Sequence, residues 1–256
     1  MFDLDGVTAL VTGAGMGGLG HHSAVALGEL GARVWVSDHE TRSADLDATV
    51  SDLRARGIEA EAHTADICSE DDVDALFDRI DEEAGGAGVL AHHAGINLRE
   101  TAWDTTPEAW RRVLDVNVTG TWLAARRAAR SMAAQRRGKI ITLGSVYTSI
   151  VGPIPESAYY ASKGAVANLT RGLAMEFASV GVTANCVAPG TFYPTLMTSA
   201  LGQDDSRLQS MAQRTMIGRL GDPEKDLRGV IGFLACPASD YMTGQVVHVD
   251  GGWSAW

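Results

Sequence analysis

The 256-residue sequence predicts an α/β fold: a doubly wound, parallel, seven-stranded sheet with helices on both faces, in a single domain over residues 1–256. Three observations predict it. Short β-branched apolar runs alternate with amphipathic segments from end to end, the pattern of successive βαβ units. A glycine-rich turn directly follows the first run. No repeat, low-complexity tract or Pro/Gly/Ser-rich linker divides the chain.

In chain order, the expected strands are Val7–Thr12, Arg33–Ser37, Glu59–Thr64, Val89–His92, Lys139–Leu143, Val182–Ala188 and Val246–Val249. Between them, helical periodicity marks His21–Leu30, Arg42–Arg56, Asp71–Glu83, Trp110–Arg136 and Ala158–Val180. The long stretch from Gly190 to Gly218 shows no clear element except a short helix around Asp205–Arg214. A loop of that length in a compact domain is expected to act as a lid or substrate segment.

The bulk composition excludes several classes. With 45% hydrophobic and 21% charged residues, the chain buries a core without staples. A net charge of -11 opposes nucleic acid and anionic membrane surfaces. Three scattered cysteines, Cys68, Cys186 and Cys236, argue for a reducing compartment and no disulfide framework. The start, MFDLDGVTALVTG, has no basic leader, and no apolar run reaches membrane length. A cytoplasmic location is expected.

The first strand runs into Thr12-Gly13-Ala14-Gly15-Met16-Gly17-Gly18-Leu19-Gly20, and a helix follows. Gly15, Gly17 and Gly20 satisfy G-x-G-x-x-G, in which backbone amides approach a pyrophosphate at a helix N-terminus. The second strand leads to Asp38. A carboxylate there accepts hydrogen bonds from a ribose 2′-OH and repels a 2′-phosphate, which favours NAD over NADP. Arg42 lies close enough in sequence to soften that repulsion. In SAYYASKGAVANLTRGLAMEF, Tyr159 and Lys163 stand four residues apart and share a helix face. An ammonium beside a phenol favours the phenolate, so the pair can act as an acid/base centre. Tyr160 points about 100° away and is read as a packing or pocket-wall residue.

Across essentially its whole length the chain resembles the short-chain dehydrogenase/reductases, in their compact single-domain, Rossmann-like branch. The motifs occur in that family's order: the Thr-Gly turn, Asp66-Ile67, Ala94-Gly95, Asn117, Ser145, Tyr159-x-x-x-Lys163 and Pro189-Gly190. The resemblance implies that Tyr159 exchanges a proton with the substrate oxygen while hydride moves to or from the nicotinamide. It implies that Lys163 lowers the tyrosine pKa and holds the nicotinamide ribose. Ser145 would bond the reacting oxygen, and Asn117 would brace a helix kink and a proton relay. Gly13, Gly15, Gly17, Gly18, Leu19, Gly20, Asp38, Asp66, Ile67, Ala94, Gly95, Tyr159, Lys163, Pro189 and Gly190 would line the cofactor. Thr191 or Thr195 would meet the carboxamide, with Thr195 preferred. The resemblance also implies a homotetramer built on the two long helices.

Three departures from the family pattern stand out. The glycine turn is one residue longer, with the insertion among Ala14–Gly17. The usual Asn-Asn-Ala-Gly is His92-His93-Ala94-Gly95. Ser145 and Tyr159 are one residue further apart than is common. His92-His93 and a second pair, His21-His22, lack metal-ligand spacing, so no metal is expected. Leu98, Trp103, Val146–Ile154, Phe192, Tyr193, Leu196 and Met197 are the candidate pocket walls, with Glu156 and Arg99 the charges nearby.

These features point to an NAD(H)-dependent oxidoreductase interconverting a secondary alcohol and a ketone. The small-molecule substrate is expected to be moderately bulky and free of phosphate. One alternative is an NADP(H)-dependent carbonyl or 3-oxoacyl reductase. Another is a non-catalytic nucleotide sensor, which would not need Asn117, Ser145, Tyr159 and Lys163 together. Halide-releasing chemistry is disfavoured because the glycine turn is retained.

Overall fold

The computed structural model describes residues 1–199 and 204–255. Its single sheet contains β1 (Thr8–Thr12), β2 (Arg33–Asp38), β3 (Ala60–Thr64), β4 (Val89–His92), β5 (Gly138–Leu143), β6 (Val182–Pro189) and β7 (Val246–Val249). All neighbours are parallel, in the order β3-β2-β1-β4-β5-β6-β7. The two-residue period of a strand explains the continuous apolar runs. Ala9, Val11, Val34, Val36, Val89 and Ala91 point into one core, while Leu10, Trp35 and Leu90 point into the other. Each large side chain removed from water contributes about 1.5–3 kcal/mol, and both faces of every central strand collect it.

Helices cover both faces: α1 (Leu19–Glu29), α2 (Ser43–Ala55), α3 (Glu70–Ala84), α4 (Pro107–Leu114), α5 (Gly120–Gln135), α6 (Ser157–Phe177), α7 (Asp205–Ala212) and α8 (Arg228–Ala235). α3 shows the local logic. Ser69 caps it by accepting from the Asp72 amide at 3.2 Å, three acidic residues fill its first turn, and Gly85 closes it in the left-handed region. Val73, Leu76, Phe77 and Ile80 form its buried stripe at i, i+3, i+4 and i+7.

Two helices differ from the sequence expectation. The single helix expected over Trp110–Arg136 is α4 and α5 joined by a π-helical turn at Asp115–Thr119. The wider turn turns Asn117 inward, and its carbonyl accepts the Thr121 hydroxyl at 2.6 Å. Amphipathic periodicity runs unbroken through the turn, so the sequence does not mark it. α8 was not expected either, because RGVIGFLA is nearly all apolar; it packs beside α1 against β5 and β6.

Of the expected lid at 190–218, residues 200–203 lie outside the described residues; α7 spans most of the short helix expected around 205–214. Among the described residues no helix is long and apolar enough to cross a membrane. The strand order reverses between β1 and β4, which opens a crevice at their carboxyl ends. The glycine turn and Asn117, Ser145, Tyr159 and Lys163 all follow or face those ends.

Candidate active site

β5 ends at Leu143, and Ser145 follows in an extended conformation that caps a short 3₁₀ turn, its Oγ accepting from the Tyr147 amide at 3.3 Å. α6 starts after Glu156 and carries Tyr159 and Lys163 on its buried face, 8% and 3% exposed. The Lys163 ammonium donates to the Leu143 carbonyl at 2.8 Å and lies 5.5 Å from the Tyr159 ring centroid. The Ser145 hydroxyl acts on the Tyr159 hydroxyl as a polar neighbour that lowers its pKa. Asn117 accepts from the Ile96 amide at 2.8 Å and donates to the Ile96 carbonyl and to Ser162 Oγ, both at 2.9 Å. It therefore ties the loop following β4 to α6 one residue from Lys163. A Cβ on Gly95 would sit 3.2 Å from Asn117 Oδ1 and 3.6 Å from Lys163 Nζ, so glycine keeps that approach open. Tyr160 stacks edge-on against Tyr147 at 4.8 Å and donates to the Ile154 carbonyl at 2.6 Å, as a wall residue.

Burial dominates the electrostatics of the site. In this structure the Tyr159 pKa is raised, first by burial and then by the Glu156 carboxylate, with the Ser145 hydroxyl opposing. Burial also pulls Lys163 down to about 8. The site thus holds a protonated phenol beside an ammonium that is charged in most molecules at neutral pH. Keeping that ammonium buried is costly. The unfolded chain binds more protons than the folded one between pH 8 and 10.5, so stability rises with pH across that window and the full cost, about 3 kcal/mol, is present at pH 7. Lys163→Met leaves the Leu143 carbonyl unpaired, at about 1–3 kcal/mol. The thermal midpoint of Lys163→Met at pH 7 is therefore expected to equal or exceed the parent's; a clear drop would contradict this balance.

The crevice fits a dinucleotide. A Cβ on Gly20 would lie 2.3 Å from the Gly13 carbonyl, so only glycine lets α1 start this close to β1. Gly18 caps α1 without a side-chain bond, leaving its first amides for an anion. The extra residue of the turn bulges out at Met16–Gly17, where Gly17 takes φ 76° and the Met16 amide reaches the Asp45 carbonyl at 3.2 Å. Asp38, at the end of β2, accepts from the Gly15 and His39 amides, both at 2.9 Å. The Arg42 guanidinium lies beside the same turn and pairs with Asp45 at 2.9 Å.

The remaining candidates divide. Ala94 and Gly95 follow β4, and Pro189 and Gly190 end β6 at the same edge. Asp66 lies on the loop after β3 and accepts from the Cys68 amide at 2.9 Å. The Ile67 side chain is in the core, against Gly120, so only its main chain faces outward. The Leu196 amide donates to the Gly17 carbonyl at 3.2 Å, which brings Thr195 to the glycine turn, whereas Thr191 stays at the end of β6 paired with Gly221. Two expected pocket walls are corrected. Phe192 packs in the core, and Trp103 is 96% exposed. Apolarity alone does not distinguish core from pocket.

At the switch point, His92 Nδ1 pairs with Thr12 Oγ1 at 2.9 Å. The His92 Nε2 and both nitrogens of His93 are buried without a hydrogen-bond partner among the described residues. His21 turns away to Asp52, at 2.8 Å. Among the described residues no group of three His, Cys, Asp or Glu side chains could hold a metal ion. One element had no sequence signal. Asn97 Nδ2 donates to Glu156 Oε2 at 2.7 Å, three residues from Tyr159.

A family model described as Enoyl-(Acyl carrier protein) reductase matches residues 13–254. The 5-keto-D-gluconate 5-reductase of Escherichia coli is 34% identical over 252 residues, covering 98% of this chain and 97% of its own. The galactitol 2-dehydrogenase of Rhizobium johnstonii is 37% identical over 257 residues, covering 100% and 98%. The crystal structure of a gluconate 5-dehydrogenase from Burkholderia cenocepacia in complex with NADP and tartrate superposes with a TM-score of 0.92. It is 34% identical and covers 100% of this chain and 98% of that one.

Proposed function

Because the chain belongs to the short-chain dehydrogenase/reductase family, as an oxidoreductase of a secondary alcohol/ketone pair with a nicotinamide cofactor, we propose that it prefers NAD(H) and uses Tyr159 as its acid/base. The observation that carries this reading is the buried Tyr159 side chain, with Ser145 acting on its hydroxyl and the Lys163 ammonium 5.5 Å from its ring centroid. When bound, the nicotinamide supplies or accepts the hydride.

The chain's own residues handle the rest. Ser145 holds the reacting oxygen and stabilises charge that develops on it. In the reductive direction Tyr159 gives its proton to that oxygen, which its raised pKa suits. In the oxidative direction it takes the proton, and positive charge from Lys163 and the oxidised ring favours the phenolate. Asn117 holds the segment of Ile96 against α6 and so fixes Lys163 near the relay. The glycine turn and α1 hold the pyrophosphate, and Thr195 the carboxamide. The relatives that act on gluconate and galactitol support a small polyhydroxylated substrate. α4–α5 and α6 would form the contacts of a homotetramer.

Asp38 favours NAD because its carboxylate meets a 2′-OH and repels a 2′-phosphate. The second reading, NADP(H), has its own support in Arg42 beside that carboxylate and in the NADP of the Burkholderia structure. Initial rates with secondary alcohols and each cofactor, followed by absorbance of the reduced nicotinamide, test both. NAD is expected to give the higher kcat/KM. Asp38→Ser is expected to shift the NADP:NAD ratio upward by about tenfold or more, equivalent to about 1.4 kcal/mol. An unchanged ratio would remove Asp38 from cofactor selection.

A further inference from the structure

Glu156 is a carboxylate 3% exposed, three residues before Tyr159. Such burial is costly unless polar groups meet the charge. Asn97 Nδ2 donates to Oε2 at 2.7 Å, and Arg99 Nε stands 3.9 Å from the same oxygen. The Tyr160 hydroxyl lies alongside. Burial raises the Glu156 pKa, and Asn97 and Arg99 pull it back. Its charge is felt at the Tyr159 hydroxyl, where the substrate oxygen reacts.

The other amide atom of Asn97, Oδ1, is buried and has no hydrogen-bond partner among the described residues. The carboxylate that acts on the Tyr159 hydroxyl and the amide oxygen of the side chain paired with it are therefore two acceptors at one place. Hydroxyl groups suit such a wall because each brings a proton to donate. A carboxylate brings none. Arg99, the cation acting on Tyr159, is already offset by Glu156. A second arginine, Arg214, acts on Tyr147 and stacks on Trp253 at 5.0 Å.

We propose that Glu156 and Asn97 form a hydroxyl-binding subsite beside Tyr159, which selects a neutral polyol/ketose pair over aldonates and simple mono-alcohols. This rests on the oxidoreductase reading above, with Tyr159 as proton carrier. Glu156 accepts a hydroxyl on the carbon next to the reacting one, and Asn97 Oδ1 accepts a second. Both contacts orient the chain of hydroxyls so that the reacting carbon meets Ser145 and Tyr159.

The test measures kcat and KM of the purified enzyme with galactitol, D-sorbitol, D-gluconate and hexan-2-ol, each with NAD and with NADP. The better hexitol is expected to exceed D-gluconate and hexan-2-ol by about tenfold or more in kcat/KM. Glu156→Gln retains an acceptor for Asn97 but loses the charge. It is expected to lower the hexitol:hexan-2-ol ratio by about tenfold, mainly through KM, and to move the hexitol:gluconate ratio in favour of gluconate. Asn97→Ala, on a loop outside α6, is expected to lower the first ratio and serves if Glu156→Gln does not fold. A purely structural role would scale all substrates together and leave both ratios unchanged, which overturns the proposal. So does a parent enzyme that prefers D-gluconate. If hexan-2-ol reacts and neither hexitol does, the subsite falls while the oxidoreductase reading stands. If no alcohol reduces either cofactor and no ketone oxidises it, both fall.

Discussion

Tyr159→Phe is expected to lower kcat for alcohol oxidation by about a thousandfold, equivalent to roughly 4 kcal/mol of barrier, with little change in cofactor affinity. The ring fills the same buried space on α6, so only the hydroxyl and its interaction with Ser145 are lost. No neighbour replaces it. Tyr160 commits its proton to the Ile154 carbonyl, and Tyr147, whose ring lies 6.4 Å from that of Tyr159, meets Ser145 through its backbone amide. Steady-state rates together with a cofactor titration separate the two effects. Activity within tenfold of the parent would show that another group moves the proton. The parent's pH profile is a second check. Burial and Glu156 hold the phenol protonated to high pH, so kcat/KM for oxidation should climb from neutral into alkaline solution. Reduction should decline over the same range.

The frame of the site was legible because it depends on local spacing. All seven strands lie within a residue of their expected bounds, since a parallel strand buried on both faces reads as an unbroken apolar run. Tyr159 and Lys163 share a helix face by spacing alone. The turn at Asp115–Thr119 was not legible in the periodicity, although the family resemblance implied a kink at Asn117, because what holds it is the pairing of Asn117 with Ile96 and Ser162, both distant in sequence. For the same reason Phe192 and Trp103 were indistinguishable as pocket candidates, although one packs in the core and the other stands in solvent. The lysine one turn from Tyr159 is visible in the sequence, whereas the burial and the Glu156 carboxylate that raise the phenol's pKa are not. Glu156 was noticed as a charge in an apolar stretch. Its partner Asn97 lies 59 residues away, and no periodicity connects them.

The folded protein is expected to lose stability steeply as pH falls from 6.5 to 4, and His93→Asn to remove about half of that loss. His92 and His93 are buried at the ends of β4, where burial lowers each ring to about 3. The charge of Lys163 adds to both shifts, and His93 adds to that of His92. Unfolding releases the rings to water, where they bind protons below about 6.5. Across the window from 6.5 to 3 the unfolded state therefore holds more protons. Stability is fully present above 6.5 and falls with pH below it, by about 3 kcal/mol per ring at pH 4. That exceeds the net contribution of most single contacts and is large against a total of about 5–15 kcal/mol. An asparagine at 93 does not titrate and fills less space, so some loss at pH 7 accompanies the gain in acid. His92→Asn is the stricter variant, because its amide oxygen can still accept from Thr12 Oγ1 while the second titrating ring is removed. Urea midpoints followed by circular dichroism at pH 4, 5, 6 and 7 measure the slope for parent and both variants. Equal slopes in all three would mean that the rings are hydrated in the folded chain and that the buried pair at the switch point is not what makes it acid-sensitive.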